Sequence, residues 1–407
     1  MAITFQEHVL SNGLRITAEI DPDAHSAAMG FFVRTGARDE ELVDMGVSHF
    51  LEHMMFKGTE NRTGEQVDRD FDDLGGRHNA YTSNETTAFH VHCLPEHLPE
   101  ASDILSDIMR PALRESDFDD EKNVILEEIA MYDDQPFWRL YERASEIYYG
   151  SHPLSHRVLG TKQSITDLQC DRMKDYFNLR YSADNTIVAM AGKIDFKAMV
   201  ENIEQHCGHW PRTDTTRHYL PMSHSEQTFI ENCDRINRDY MLMLAPAPPI
   251  QDDRRHAASL MAWILGNADG SRLYWSLIET GRAEAAQAQY EGRDRTGQYL
   301  TWCICDPDAA DEVEALIRQE IDLLVDSISE DDLERVRAKA ATAITLHGEL
   351  PAGRMQRLGR LFMTQDKWIP LEEELERICS VSVNDIKALA EEYPMTPVVT
   401  GHLRGSS

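Results

Sequence analysis

Two histidines and a glutamate stand within an otherwise apolar helical stretch, SHFLEHMMF, at positions 48–56. His49 and His53 are four residues apart and Glu52 directly precedes the second histidine, so a helix projects all three side chains from nearly one face. Imidazole is a common zinc ligand, and a catalytic zinc usually has three protein ligands and one position open to water. The HxxEH pattern therefore predicts two ligands of a metal site and requires a third from elsewhere in the chain.

The stretch EKNVILEEIAMY at 121–132 provides a candidate for the third ligand. On a helix, Glu121 and Glu128 share a stripe with apolar residues, whereas Glu127 lies about 100° round the axis. A carboxylate on an apolar stripe is costly unless it is paired or bound to metal, so Glu128 is the predicted ligand. Glu121, two turns earlier, is predicted to orient a ligating imidazole. The alternative is an exposed Glu128 and two histidines that are satisfied within the core.

Glu52 is the remaining polar group of the first motif. It adjoins His53 but is too constrained on the helix to be an obvious ligand. We predict that it accepts a proton from zinc-activated water and hands it to the leaving amine, as general base and then general acid. Together these residues predict peptide hydrolysis without a covalent intermediate.

Two further groups of histidines resemble ligand sets. His90 and His92 in FHVHC share one face of a predicted strand, and we interpret them as strand packing because no nearby carboxylate completes a site. The segment HCGHW at 206–210 is interpreted as the end of a helix, terminated by Gly208. The sequence thus predicts one metal site.

Composition limits the class of protein and its partners. The 407 residues, 42% of them hydrophobic, are enough for two or three domains with cores of their own. A formal net charge of -31 argues against nucleic acid and anionic membranes as partners. No apolar run reaches the roughly 18 residues of a membrane span, and no signal peptide is visible. The seven cysteines fit reduced thiols, so we expect a cytoplasmic protein.

Periodic patterns predict the elements that must position the site. Asn12-Gly13 is a hairpin turn signal, and Ser116 is the predicted N-cap of the helix that carries Glu128. Strands are predicted at 7–10, 14–20, 27–33 and 79–93, and helices at 43–55, 98–109 and 116–132.

The order of elements indicates two related halves. A polar stretch at 213–226 is the predicted linker between a zinc-binding domain at 1–212 and a related non-catalytic domain at 227–407. After the linker the order of strand, connector and helix restarts, with ASLMAW at 258–263 where the first half has SHFLEH. The second half therefore lacks the histidines, and we predict that only the first half does chemistry.

Three motifs in order, SHFLEHMMFKGT, GGRHNAYTSNETTAFH and EKNVILEEI, resemble the pitrilysin-type (inverzincin) family of zinc metallopeptidases. The resemblance is closest to the mitochondrial processing peptidase beta subunit and its bacterial homologues, and it covers most of the chain. It implies one zinc per chain with a fixed set of roles. Those roles are zinc ligands at His49, His53 and Glu128, a general base at Glu52 and a supporting acidic residue at Glu121.

The same resemblance implies the fold, the partners and the mode of substrate binding. The fold would be α+β, with two related domains, each a mostly antiparallel sheet with helices on one face, forming one half of a clam-like chamber. The chain would then pair as a homodimer or as a heterodimer with a related subunit. A peptide or unfolded polypeptide would add by main-chain pairing to an edge strand formed by Asn79, Ala80, Tyr81 and Thr82.

One departure from the family pattern concerns substrate stabilisation. Many relatives have an arginine and, seven residues later, a tyrosine at positions that Ile278 and Ala285 occupy here. The oxyanion donor would have to come from elsewhere, for example from a partner subunit. We therefore predict a zinc-dependent endopeptidase or oligopeptidase acting on extended peptides. The alternative is a non-catalytic or partner-dependent subunit of a heterodimeric peptidase.

Overall fold

A computed structural model describes residues 3–224, 226–267 and 269–405. The chain folds into two compact units, each built from three segments. The first unit consists of residues up to 130 with His156–His218 and Leu346–Trp368, and the second of Met131–Ser155, Tyr219–Thr345 and residues from 369 onward. None of the helices in the described ranges has the length and apolar character that a membrane crossing requires.

The strands and helices are interspersed along the described part of the chain. The strands are β1 Thr4–Val9, β2 Arg15–Ile20, β3 Ala27–Val33, β4 Arg77–Thr82, β5 Thr87–Cys93, β6 Thr186–Gly192, β7 Gln227–Cys233, β8 Asp239–Pro246, β9 Ala283–Arg293, β10 Thr296–Cys305 and β11 Val399–Gly405. The helices are α1 Val47–Met55, α2 Gly64–Asp73, α3 Leu98–Ile108, α4 Glu115–Asp133, α5 Pro136–Tyr149, α6 Lys162–Asp167, α7 Cys170–Arg180, α8 Phe196–Cys207, α9 Arg255–Gly266, α10 Ala310–Ser327, α11 Glu330–Glu349, α12 Pro351–Gln365, α13 Leu371–Ser380 and α14 Val383–Glu392.

The first unit contains a mixed sheet with strand order β1-β2-β6-β3-β5-β4. Neighbouring strands are antiparallel except the parallel pair β2 and β6. β3 is buried along its whole length because both faces of the sheet are covered. β4 stands at the end of the order and pairs with β5, so it is an edge strand.

Helices cover both faces of this sheet, whereas the sequence predicted helices on one face. On one face Phe31 packs in a core with Phe50 of α1. On the other face Phe32 packs against α12, including Met355. A Cβ at Gly359 of α12 would lie 2.4 Å from the Phe32 ring, so glycine allows the helix to approach the sheet closely.

The second unit contains a mixed sheet with strand order β7-β11-β8-β10-β9. β7 and β11 are parallel and the other neighbours are antiparallel. Apart from β1, the first sheet has the same arrangement: a first strand beside the last, followed by the second, fourth and third. This recurrence agrees with the repeat expected from the sequence, in which β8 and α9 correspond to β3 and α1.

Each unit contains one helix that comes from the opposite half of the sequence. α5 follows the site-bearing helix α4 along the chain, yet Leu140 and Tyr148 of α5 pack with Leu242 of β8 in the second unit. α12 comes from the second half of the sequence but covers the first sheet. The predicted linker at 213–226 does not account for the positions of α5 and α12. An amphipathic pattern shows that a helix packs on something, but it does not show on which sheet. Ser225 of that predicted linker lies outside the described residues.

Two local predictions differ from the structure. α4 begins at Glu115, so Ser116 lies inside the helix rather than at its N-cap, and the acidic residues of the first turn, Glu115 and Asp117, stabilise that end electrostatically. The helical pattern that began at Val43 is interrupted at Gly46, whose φ of 95° is left-handed. Val43 therefore lies before α1 and is 63% exposed.

Candidate metal centre

Helix α1, which carries the HxxEH motif, is anchored at its N-terminus by a buried carboxylate. Glu40 Oε2 accepts a hydrogen bond from the Gly46 amide at 2.7 Å, and Oε1 accepts one from the Ser48 amide at 2.8 Å. These bonds satisfy amides that the first helical turn leaves unpaired. Burial raises the pKa of Glu40 to about 8, although both hydrogen bonds oppose the shift. Because Glu40 precedes the helix by several residues, a search for an adjacent capping residue misses it.

His49, His53 and Glu128 form one group of side chains whose candidate ligand atoms all lie within 4.8 Å of one another. The Glu128 Oε2 atom lies 3.6 Å from His49 Nε2 and 3.5 Å from His53 Nε2. Both separations are too long for hydrogen bonds. Ligand atoms of a tetrahedral zinc, bound at about 2.1 Å, are about 3.4 Å apart. The donor set and the two separations from Glu128 therefore fit zinc.

Burial controls the protonation of two of these three groups. Burial lowers the pKa of His49 to about 3, and His53 adds to the effect, so the His49 imidazole is neutral and able to ligate a metal. Burial also raises the pKa of Glu128, with His53 opposing and Glu121 adding to the shift. A bound cation would favour the Glu128 carboxylate and offset that burial.

The imidazole of His53 is oriented by a chain of two contacts. Its Nδ1 lies 2.9 Å from Glu121 Oε1, and Lys57 Nζ donates to Glu121 Oε2 at 2.5 Å. Burial of Glu121 opposes ionisation, but the bonds and charges of Lys57 and His53 outweigh it and lower the pKa of Glu121. The Glu121 carboxylate accepts a hydrogen bond from Nδ1–H of His53. The lone pair of His53 Nε2, on the side facing Glu128, can then bind a metal.

Lys57 was missed as a site residue in the sequence. The helical stripe of α4 contains no cation near Glu121, and Lys57 lies just beyond the helical pattern at 43–55. The contact joins two elements that are 64 residues apart in sequence. Its proximity to HxxEH in the run FKGT was the available signal.

Glu52 stands beside the ligand group and contacts the edge strand. Thr82 Oγ1 of β4 donates to Glu52 Oε2 at 2.5 Å. Burial raises the pKa of Glu52, and the hydrogen bond from Thr82 opposes the rise. The carboxylate is therefore close to the metal group and positioned by a neighbouring strand. Sequence reasoning gave Thr82 a main-chain role only and did not find this side-chain contact.

The edge strand presents main-chain groups on its open side. The Ala80 amide donates to Asn79 Oδ1 at 2.9 Å rather than to β5. In an antiparallel pair, successive residues direct their main-chain groups alternately to the partner and away from it. Ala80 and Thr82 therefore direct theirs to the open edge. The Tyr81 hydroxyl donates to Gln356 of α12 at 3.1 Å, on the opposite face from the Glu52 contact.

The other histidine groups make ordinary contacts. His92 Nε2 lies 2.8 Å from Ser26 Oγ, and His206 Nδ1 lies 3.4 Å from Asp103 Oδ1. In the part of the chain that the structure describes, His49, His53 and Glu128 form the one group of three or more potential metal ligands. All of the residues described at this centre lie in the first unit.

Comparison with known proteins identifies the family. The sequence matches a model described as insulinase (peptidase family M16) over residues 15–162 and one described as peptidase M16 inactive domain over residues 167–340. The chain belongs to the M16 (insulinase/pitrilysin) family of zinc proteases. A protein of this family from Rickettsia felis, named uncharacterized zinc protease, is 27% identical over 388 residues, covering 95% of this chain and 94% of the relative.

Solved structures show the fold of this M16 protease at lower identity. A protease from Helicobacter pylori has a TM-score of 0.93 at 20% identity, covering 99% of this chain and 100% of that chain. A chain of complex III2 from Candida albicans, solved with Inz-5 bound, has a TM-score of 0.85 at 17% identity, covering 98% of this chain and 95% of that chain. The protein is thus a zinc protease with an N-terminal M16 domain, which contains the metal centre, and a C-terminal M16 domain.

Proposed function

We propose that this M16 protease is an endopeptidase or oligopeptidase that hydrolyses extended peptides at one zinc per chain. The observation that carries the proposal is the convergence of His49, His53 and Glu128 beside the carboxylate of Glu52. A ligand group without a neighbouring base would serve equally well in a structural metal site. The adjacent carboxylate favours hydrolysis.

Glu52 and Glu121 have separate roles in the proposed hydrolysis. When bound, zinc supplies a Lewis acid that activates water near neutral pH. Glu52 accepts the proton released in attack on the scissile carbonyl and donates it to the leaving amine. Glu121 holds His53 with its Nε2 toward Glu128, and so fixes the ligand geometry.

The substrate would bind as an additional strand on β4. Ala80 and Thr82 direct main-chain groups to the open edge, which is the arrangement that β-strand addition uses. The Asn79 side chain accepts the hydrogen bond of the Ala80 amide until a substrate strand takes its place. Main-chain pairing makes few demands on substrate side chains, so an extended or unfolded peptide is the proposed substrate class.

We further propose that activity requires association with a second, related chain. Ile278 is partly buried in the second core and Ala285 lies on β9, so neither supplies a polar donor. A homodimer or a heterodimer would supply the donor and complete the implied chamber. The likeness to mitochondrial processing peptidase beta subunits, the division into domains at 1–212 and 227–407 and the cytoplasmic location are part of this proposal.

Replacement of the family's arginine and tyrosine by Ile278 and Ala285 also favours a second candidate function. In that case the chain binds zinc but serves as a partner-dependent or non-catalytic subunit of a heterodimeric peptidase. The intact ligand group with Glu52 beside it favours the active enzyme.

The decisive experiment measures zinc content and hydrolysis of a quenched, unstructured peptide by the purified chain and its Glu52→Gln variant. We expect near-stoichiometric zinc in both proteins and a loss of about 10² to 10⁴ in kcat for the variant, because general-base catalysis is removed. Glu127→Gln, on the exposed side of α4, is the matched control and should retain activity. If wild type, Glu52→Gln and Glu127→Gln all bind zinc and none of them hydrolyses the peptide, the result would support the subunit function.

A further inference from the structure

We propose that Thr82 is a positioning residue whose hydroxyl holds the Glu52 carboxylate, so that docking of the substrate main chain on β4 is coupled to placement of the base. This inference rests on the proposed function and assigns a role to the Thr82 side chain. The role is separate from the main-chain pairing of the edge strand.

The contact is short and joins two groups that are both half-buried. Thr82 Oγ1 and Glu52 Oε2 are 2.5 Å apart, as expected for a hydroxyl donating to a carboxylate. The Glu52 side chain has several rotatable bonds and can occupy several staggered rotamers. A donor from a neighbouring element restricts the rotamers of Glu52 and holds its Oε2 atom in one position.

Thr82 is held rigidly enough to perform this role. Its branched side chain has few accessible rotamers on a strand. Thr82 pairs with Thr87 of β5, and the Thr87 hydroxyl donates to the Thr35 carbonyl at 3.0 Å. The turn that follows is closed by a hydrogen bond of 2.9 Å from the Ser83 amide to the Thr86 carbonyl. The hydroxyl of Thr82 therefore belongs to an ordered end of the strand.

The same residue faces both the substrate edge and the base. Thr82 and Ala80 share a strand face, and their main-chain groups point to the open edge, whereas the Thr82 hydroxyl points to Glu52. A peptide that pairs with Thr82 would reduce motion of the residue that holds Glu52. The benefit would arise mainly in the chemical step, because substrate pairing itself uses main-chain atoms that any side chain leaves in place.

The test compares Thr82→Val, which keeps the branched shape but removes the donor, with Thr82→Ser, which keeps the hydroxyl. For the full-length zinc-loaded protein, we expect Thr82→Val to lower kcat by about 10- to 100-fold, since misplacement by about 1 Å costs up to that factor. KM, the zinc dissociation constant and the unfolding midpoint should stay at wild-type values. Thr82→Ser should restore most of kcat. Thr166→Val, the same substitution at an exposed position of α6 outside the site, should have wild-type kcat.

Several outcomes would overturn the inference. These are a wild-type kcat in Thr82→Val, a defect in Thr82→Ser as large as that in Thr82→Val, or a change confined to KM. Crystal structures of zinc-bound wild type and Thr82→Val provide a readout that does not depend on turnover. Several rotamers of Glu52 in the variant would support the inference, and one unchanged position would contradict it. Absence of hydrolysis by wild type would instead count against the proposed function.

Discussion

Lys57 is the residue through which the charge balance of the metal centre can be tested. Its ammonium bonds to Glu121, and Glu121 in turn holds Nδ1 of His53. Removing the cation leaves a buried carboxylate with one partner fewer and a less firmly oriented imidazole. We predict that Lys57→Met raises the zinc dissociation constant by about 10- to 100-fold, as loss of outer-shell partners typically does. Competition with a chromophoric chelator measures this constant directly.

The control for that substitution is Lys197→Met, because the Lys197 side chain is 88% exposed and lies on α8, away from the ligand group. It should bind zinc as wild type does. Equal zinc affinity in Lys57→Met and wild type would show that Glu121 orients the imidazole without help from the lysine.

At the level of single residues, the sequence predicted the three candidate ligands that the structure brings together, but not the residues that contact them. His49, His53 and Glu128 follow from helical spacing, since each pattern lies within one helix. Lys57 and Thr82 reach their partners across elements distant in sequence, and no periodicity records such contacts. Supporting groups of this kind require the tertiary structure.

Among the elements, β11 is held by a histidine between two carboxylates. His402 is 1% exposed, with Nδ1 at 3.0 Å from Asp239 Oδ1 of β8 and Nε2 at 3.1 Å from Glu314 Oε2 of α10. Burial lowers the pKa of His402, but the bonds and charges of Asp239 and Glu314 outweigh it, so its pKa is raised above 6.5. The protonated imidazole thus links a strand to a neighbouring strand and a covering helix.

This arrangement predicts a pH dependence of stability. A histidine with a raised pKa in the folded state stabilises fully below its unfolded pKa and loses that contribution as pH rises through the folded value. We expect the difference in unfolding free energy between wild type and His402→Gln to be largest below about pH 6.5 and to shrink as the pH rises above that value. Urea unfolding at several pH values measures it, with His8→Gln on the exposed β1 as the control. A difference that is constant with pH would contradict a charged His402.

Element boundaries were predictable where the local pattern was decisive. The strand expected at 27–33 is β3, because its apolar run is buried on both faces. The start of α1 was displaced because the conformation of Gly46 interrupts the helical pattern. The exchange of α5 and α12 could not be predicted, since both helices have an amphipathic pattern that fits either sheet.

On the scale of the whole molecule, the chain repeats one topology but places its ligand group in one copy. α9 corresponds to α1, and when ASLMAW is aligned with SHFLEH, Ser259, Ala262 and Trp263 stand where α1 has His49, Glu52 and His53. The second copy therefore retains the packing of the fold and lacks counterparts of these three polar side chains. Because the order of elements follows from packing, the repeat can be recognised in the sequence even though the second half differs at the positions of His49, Glu52 and His53.

The proposed dependence on a second chain predicts an effect of salt. Each chain carries a formal net charge of -31, so pairing two copies brings together like charges that repel. Raising the ionic strength from about 0.01 M to about 0.15 M shortens the Debye length from about 30 Å to about 8 Å and weakens this repulsion. We predict that the dimer fraction and the turnover per chain rise together at fixed protein concentration. Sedimentation velocity and hydrolysis of an uncharged peptide in the same buffers measure both quantities, and full activity in a sample that sediments as a monomer would exclude the homodimer as the active form.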